Sequence, residues 1–233
     1  MFSQVKHIFF DLDNTLWDFD KNSKNVILEL FSHFDLQAKC NCLPNSFYNT
    51  YVIVNEQLWK LYREKLITKE ELRSSRFTNT MLYFGYEDEQ LGVKLENEYI
   101  SKSPLQKELV DGTIEVLEYL KTKYQLHIIT NGFKEVQHIK LENCGLKNYF
   151  NQIIISEEVG FNKPDRQIFE FALFKSNALK NESLMIGDDY DADVMGAKDS
   201  GLRSIFFNRK SVKASDNGIK EINSLNQLLK IIS

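Results

Sequence analysis

Phe9-Phe10-Asp11-Leu12-Asp13-Asn14-Thr15 is the stretch on which the reading of this chain turns. An apolar run over residues 5–10 ends abruptly in two aspartates, two positions apart. The run is short and rich in aromatic and β-branched residues, which predicts a buried strand. Asp11 and Asp13 then stand at its carboxyl end, where open α/β sheets bind ligands. In an extended chain, residues i and i+2 point to the same side. Two carboxylates held there repel each other unless a cation or a proton intervenes. A hard divalent cation such as Mg2+ resolves that conflict through oxygen ligands. One carboxylate can then act as nucleophile while the other carries protons. Taken alone, the stretch also fits a plainer reading, a helix N-cap aspartate beside a solvated one.

Working outward, three more stretches end in the same kind of chemistry. Ile128-Ile129-Thr130-Asn131-Gly132 reads as a strand closing on a hydroxyl, an amide and a glycine before a helix. Such a turn offers backbone N–H groups and the Thr130 hydroxyl to an anion, unless it is only an ordinary N-cap. Lys163 precedes Pro164, which the sequence places at the first position of a helix. Lys163 is either a neutraliser of phosphoryl and carboxylate charge or a solvated surface lysine. Met185-Ile186-Gly187-Asp188-Asp189-Tyr190-Asp191-Ala192-Asp193 is a further apolar strand ending in acids. Gly187 lets backbone approach a ligand closely. Asp188 is the best added metal ligand, and Asp193, about one helical turn on, binds through water or orients the other ligands. Asp189 and Asp191 favour a helix N-terminus. Jointly, three strand ends and one Lys-Pro converge on a metal, an anion cradle and a nucleophile.

Between the first and second of these motifs the character changes. Residues 21–102 carry helical periodicity, with Val26, Leu30 and Phe34 in one stripe and Leu58, Leu61 and Tyr62 in another. Thr68-Lys69-Glu70-Glu71 matches a capping box. Four helices are expected, with turns near residues 40–44, 65–68 and 85–88. After Pro104 the rhythm is strand, helix, strand, helix. A helix after Gly112 turns Ile114, Leu117 and Leu120 inward. Strands follow over 126–130, 152–156, 184–187 and 203–207, helices over 135–144 and 192–200, and Ser224 caps a last short helix. This pattern predicts an α/β fold with a doubly wound parallel sheet. The domain reading is residues 1–17 and 103–233 as the α/β core, with an inserted helical domain at 18–102.

Composition narrows the class. The chain has 233 residues, 42% of them hydrophobic, enough to build a core. A net charge of -4 argues against a polymeric nucleic acid as partner. No run of 18 apolar residues is present, so no membrane span and no membrane partner are expected. The N-terminal residues resemble neither a signal nor a transit peptide. Cys40, Cys42 and Cys144 are odd in number and lack zinc-ligand spacing, which fits reduced thiols in the cytoplasm.

With these residues in hand, the chain resembles the haloacid dehalogenase superfamily of phosphohydrolases, which implies a Rossmann-like core with an inserted helical cap. Asp11-Leu12-Asp13-Asn14-Thr15 is similar to its first motif, Thr130 to the second, Lys163 to the third, and Gly187-Asp188 with Asp193 to the fourth. The resemblance implies that Asp11 forms an aspartyl-phosphate and that Asp13 protonates the leaving alcohol and then activates water. It implies Mg2+ held by Asp11, Asp188 and the backbone carbonyl of Asp13, with Thr130, Lys163 and the Asn131 backbone N–H on the phosphoryl group. True dehalogenases of the superfamily lack the second acid, and Asp13 is present here.

A closer resemblance is to the house-cleaning pyrimidine 5′-nucleotidases, carried by residues 129–133, by residues 155–160, and by Asn55, Leu58, Trp59 and Tyr62 with Arg76-Phe77. It implies a nucleoside monophosphate substrate. Asn55, Trp59 and Tyr62 share one helical face and suit a pyrimidine, though aromatic stripes also build cores. Arg76 steers an anion or forms a surface ion pair. Trp17, near the domain boundary, closes over substrate or simply packs. The other readings are a phosphatase of sugar phosphates or other small metabolites, a phosphosugar mutase, and a phospho-receiver-like binding module. A small phosphorylated metabolite is the expected partner of a monomer or homodimer.

Overall fold

The computed structural model describes residues 2–211 and 218–232. The outermost ends expected for the α/β domain, residues 1 and 233, lie outside them. The chain forms two compact units, one of residues 20–106 and one of residues 2–19 and 107 onward.

The α/β unit is built on a parallel sheet of six strands among the described residues. They are β1 His7–Phe10, β2 Gln125–Thr130, β3 Gln152–Ile155, β4 Ser183–Gly187, β5 Arg203–Phe207 and β6 Lys220–Ile222. Their order is β3-β2-β1-β4-β5-β6, so β1 is central. The chain winds from β1 toward β3, then crosses back to β4, which places a topological switch point between β1 and β4. Phe10 pairs with Ile128 on one side and Ile186 on the other. The carboxyl ends of β1, β2 and β4 therefore lie side by side.

Every residue of β1 is buried, which is why it reads as a continuous apolar run and not as an alternation. Its side chains still divide between two faces. Ile8 and Phe10 pack with Leu117, Leu141, Ile186 and Leu228. Phe9 packs with Ile129, Ile168, Phe169 and Met185. Helices α6 Thr113–Leu120, α7 Lys134–Asn143 and α11 Leu228–Ile231 contribute to the first cluster, and α8 Ser156–Val159 and α9 Arg166–Ser176 to the second.

The helical unit contains α1 Phe19–His33, α2 Leu36–Cys40, α3 Pro44–Arg63, α4 Lys69–Tyr83 and α5 Glu89–Lys102. Its core joins Val26, Leu30, Phe31, Phe47, Phe77, Met81 and Leu95. Thr68 and Glu71 form the capping box, each side chain taking the other's backbone N–H at 3.1 and 2.7 Å. Among the described residues, no helix is long and apolar enough to cross a membrane.

Several local expectations need correction. Pro164 does not open a helix: α9 starts at Arg166, with Asp165 as N-cap accepting from the Gln167 N–H at 3.0 Å. Ile114 points outward and Val116 takes the inward place beside Leu117 and Leu120, because α6 begins at Thr113 and its buried stripe follows from there. The acidic segment after β4 is a wide π-helical turn, Tyr190–Met195, before the short α10, Gly196–Asp199. Ser224 does stand at the N-cap of the terminal turn, Leu225–Gln227, but among the described residues its side chain makes no capping bond. The one-turn α2 and the strand β6 were not expected.

Candidate active site

The first motif leaves β1 through a tight turn. The N–H groups of Leu16 and Trp17 both donate to the Leu12 carbonyl, at 3.0 and 2.9 Å. Asn14 sits at φ 61°, a left-handed conformation that asparagine tolerates better than most residues. The turn starts directly at Asp11, whose N–H still donates to Ile186 of β4 at 2.9 Å. That fixes Asp11 at the sheet edge.

Oxygens of Asp11, Asp188 and Asp193 lie within 4.8 Å of one another. Lys163 is 2% exposed, so it is no surface lysine. Its ammonium has three protons, and it donates to Asp11 Oδ1 at 2.6 Å, Asp193 Oδ1 at 2.6 Å and the Ile129 carbonyl at 2.7 Å. Asn131 holds the backbone of Lys163 from both sides, accepting its N–H at 2.8 Å and donating to its carbonyl at 2.9 Å. The Asn131 side chain therefore anchors the loop that carries Lys163. Asp193 is also tied to the chain, accepting the Asp189 N–H at 3.1 Å. Gly187 permits that approach: a Cβ there would lie 2.1 Å from Asp193 Oδ2.

Burial raises the Asp11 carboxyl to about 7, against the opposing pull of Lys163. Burial also raises Asp188 well above the usual carboxylate range, with Asp11 and Asp193 adding to the effect. Asp193 is raised by burial and eased by Lys163. Burial disfavours the charge on Lys163, yet Asp11 and Asp193 outweigh it and hold the ammonium above the ordinary lysine range. Ionised together, the three carboxylates against one ammonium would leave two negative charges over, which is why burial holds their protons on so firmly. An all-oxygen cluster with that surplus fits a hard divalent cation.

Thr130 lies beside this cluster at the end of β2. Its hydroxyl oxygen accepts from the Gly132 N–H at 3.1 Å and from Gln137 Nε2 at 2.7 Å. Both lone pairs are taken, which leaves its proton to donate. Asp13 accepts from Lys140 Nζ at 2.7 Å and from Gln137 Nε2 at 2.8 Å. Lys140 and Gln137 were missed in the sequence, where polar residues on a helix read as solvent-facing. Here both are buried on the inner face of α7.

Two of the residues expected near the substrate are buried. Trp17 is fully buried in the α/β core, with Lys140 Nζ 4.3 Å from its ring centroid, so its faces serve packing. Arg76 is 5% exposed and doubly bonded to Glu96, so it is neither a surface ion pair nor a free anion ligand. Asn55 is buried on α3, and its Oδ1 has no hydrogen-bond partner among the described residues. Trp59 and Tyr62 are half-buried, with their rings edge to face at 5.6 Å.

A parallel sheet whose switch-point edge gathers three aspartates, a lysine and a threonine suits chemistry on an anion held beside a cation. The chain belongs to the haloacid dehalogenase-like hydrolases, whose family model matches residues 5–201. The pyrimidine 5′-nucleotidase PynA of Streptococcus pneumoniae is 33% identical over 87% of this chain and 84% of its own length. The pyrimidine 5′-nucleotidase YjjG of Escherichia coli is 32% identical over 86% and 85%. The crystal structure of YfnB from Bacillus subtilis, bound to magnesium, superposes with a TM-score of 0.87 at 28% identity and covers 98% of both chains.

Proposed function

We propose that this protein is a Mg2+-dependent phosphomonoesterase that works through an aspartyl-phosphate on Asp11. Its substrates are pyrimidine nucleoside monophosphates, ribo or deoxy. The observation that carries the reading is the meeting of Asp11, Thr130, Lys163 and Asp188 at one sheet edge, with Asp13 two residues beyond Asp11. Similarity to two pyrimidine 5′-nucleotidases over most of the chain supports the substrate class.

Asp11, Asp188 and the Asp13 backbone carbonyl would hold the cation, with Asp193 orienting them through its bonds to Lys163 Nζ and the Asp189 N–H. Bound Mg2+ supplies positive charge to the phosphoryl oxygens. An Asp11 oxygen attacks phosphorus in line, the bond from phosphorus to the ester oxygen breaks, and Asp13 gives its proton to that oxygen. The nucleoside leaves. Water then attacks the same phosphorus while Asp13 takes its proton back. The bond to Asp11 breaks, releasing inorganic phosphate and restoring the carboxylate. The Thr130 hydroxyl proton and the Asn131 N–H bind phosphoryl oxygens, and Lys163 offsets the charge that collects around them. The helical insertion, read from the sequence as residues 18–102, acts as a cap that selects the base.

The test is phosphate release from a panel containing dUMP, dTMP, UMP, purine monophosphates, hexose phosphates and phosphoglycolate, with and without EDTA. Release concentrated on the pyrimidine monophosphates and abolished by EDTA is expected. Release concentrated on sugar phosphates would overturn the substrate class, and release indifferent to EDTA would overturn the metal.

A further inference from the structure

Asp13 is not left to rotate. Lys140 Nζ holds Oδ1 at 2.7 Å and Gln137 Nε2 holds Oδ2 at 2.8 Å. These residues stand three apart on α7, so both reach the same spot from one helical face. The same Gln137 amide also donates to Thr130 Oγ1 at 2.7 Å, which links Asp13 to the end of β2.

Burying these groups is costly, and the surrounding structure accommodates them. The Lys140 side chain is 6% exposed, and Gln137 is fully buried. A buried ammonium is tolerated only when paired. Its compensation is Asp13 on one side and the face of Trp17 on the other, at 4.3 Å. Gly132 leaves the room that Gln137 needs, since a Cβ there would lie 1.9 Å from Gln137 Nε2. The Asp13 side chain itself keeps 27% of its surface open. An ionised carboxylate has about four lone-pair sites, so two remain for other partners.

We propose that Lys140 and Gln137 are positioning residues for Asp13, fixing both of its oxygens so that the free lone pairs serve proton transfer. This rests on Asp13 being the acid and base of the reaction proposed above. The leaving oxygen of a nucleotide needs a proton, whereas nitrophenolate leaves without one. The hydrolysis of the aspartyl-phosphate needs a base whatever the first leaving group was. Loss of alignment at Asp13 therefore slows both half-reactions with dTMP but only the second with p-nitrophenyl phosphate.

The experiment is rapid mixing of Lys140→Met, Gln137→Leu, Lys140→Arg and Asp13→Asn with each of these two esters in Mg2+, after circular dichroism has established folding. Lys140→Met is expected to lower kcat on dTMP about 10- to 100-fold, with KM changed less than about twofold. With p-nitrophenyl phosphate it gives a burst of about one nitrophenolate per chain before slow turnover. Gln137→Leu behaves the same way more mildly, Lys140→Arg recovers much of the rate, and Asp13→Asn sets the upper limit of the effect. Equal losses on both esters with no burst, while Asp13→Asn does show the burst, would overturn the positioning role and leave the reaction standing. An Asp13→Asn variant as fast as wild type would overturn the underlying reading and the inference with it. Should Lys140→Met fail to fold, Gln137→Leu and Gly132→Ala, which displaces the same amide, decide the matter by the same burst.

Discussion

Replacing Arg76 with methionine removes half of an ion pair that the helical unit buries between α4 and α5. Both side chains are 6% exposed. Arg76 Nε donates to Glu96 Oε2 at 3.2 Å, a second nitrogen donates to Oε1, and the guanidinium lies 5.1 Å from the Tyr99 ring centroid. Taking away one partner strands the other charge out of water, which costs about 3–5 kcal/mol. Methionine fills a similar volume, so little cavity penalty is added. Removing both charges, as Arg76→Met with Glu96→Leu, returns stability to within about 1 kcal/mol of wild type or above it, because desolvation offsets most of what the pair gains. Urea unfolding followed by tryptophan fluorescence measures this. Trp59 lies in the helical unit and Trp17 in the α/β unit, so a Trp59→Phe background identifies which unit gives each transition. A single variant as stable as wild type, or a double variant as unstable as the single, would refute the reasoning. Loss of substrate affinity in Arg76→Met at unchanged stability would restore Arg76 as an anion ligand.

Further predictions follow from the same geometry. Gly187→Ala forces Asp193 away and should weaken Mg2+ binding about 10- to 100-fold by isothermal titration; an unchanged affinity would separate Asp193 from the cation site. Lys163→Met removes the ammonium among three carboxylates and should abolish phosphate release while lowering stability by about 3–5 kcal/mol; retained turnover would contradict its place in the reaction. His127 bonds to His7 at 3.1 Å, and burial, aided by the neighbouring His7, lowers its pKa from 6.5 to about 4. Its folded pKa lies below the unfolded value, so its stability contribution is full above about 6.5 and is lost as pH falls toward 4. Denaturation between those limits should show a loss of about 2–3 kcal/mol that His127→Phe largely removes; an identical pH slope in that variant would exclude the pair as its source.

What could be read in the sequence was what adjacent residues determine. The apolar run before Asp11 reads as a strand because β1 is buried on both faces and ends where the acids begin. The capping box at Thr68 was legible for the same reason, since its partner is three residues away. The placing of Asp11, Thr130 and Asp188 on one edge follows from strand order, which alternating strands and helices largely dictate. Pro164 misled because its fixed φ suits both a helix start and an extended turn, and Asp165 won the cap. Strand β6 has one buried residue, Ile222, and no periodicity to announce it. Lys140, Gln137 and Glu96 escaped notice because a polar residue on a helix carries no local sign of burial. Only tertiary packing turns those positions inward.

In the proposed reaction Asp11 takes the phosphoryl group. The direct measurement is an acid quench of the protein mixed with Mg2+ and dTMP bearing radiolabelled phosphate, followed by mapping of label bound to the chain. Label is expected on the peptide that contains Asp11, removable by hydroxylamine and absent from Asp11→Asn. Label persisting in Asp11→Asn, or rapid turnover with no labelled protein at any quench time, would contradict it.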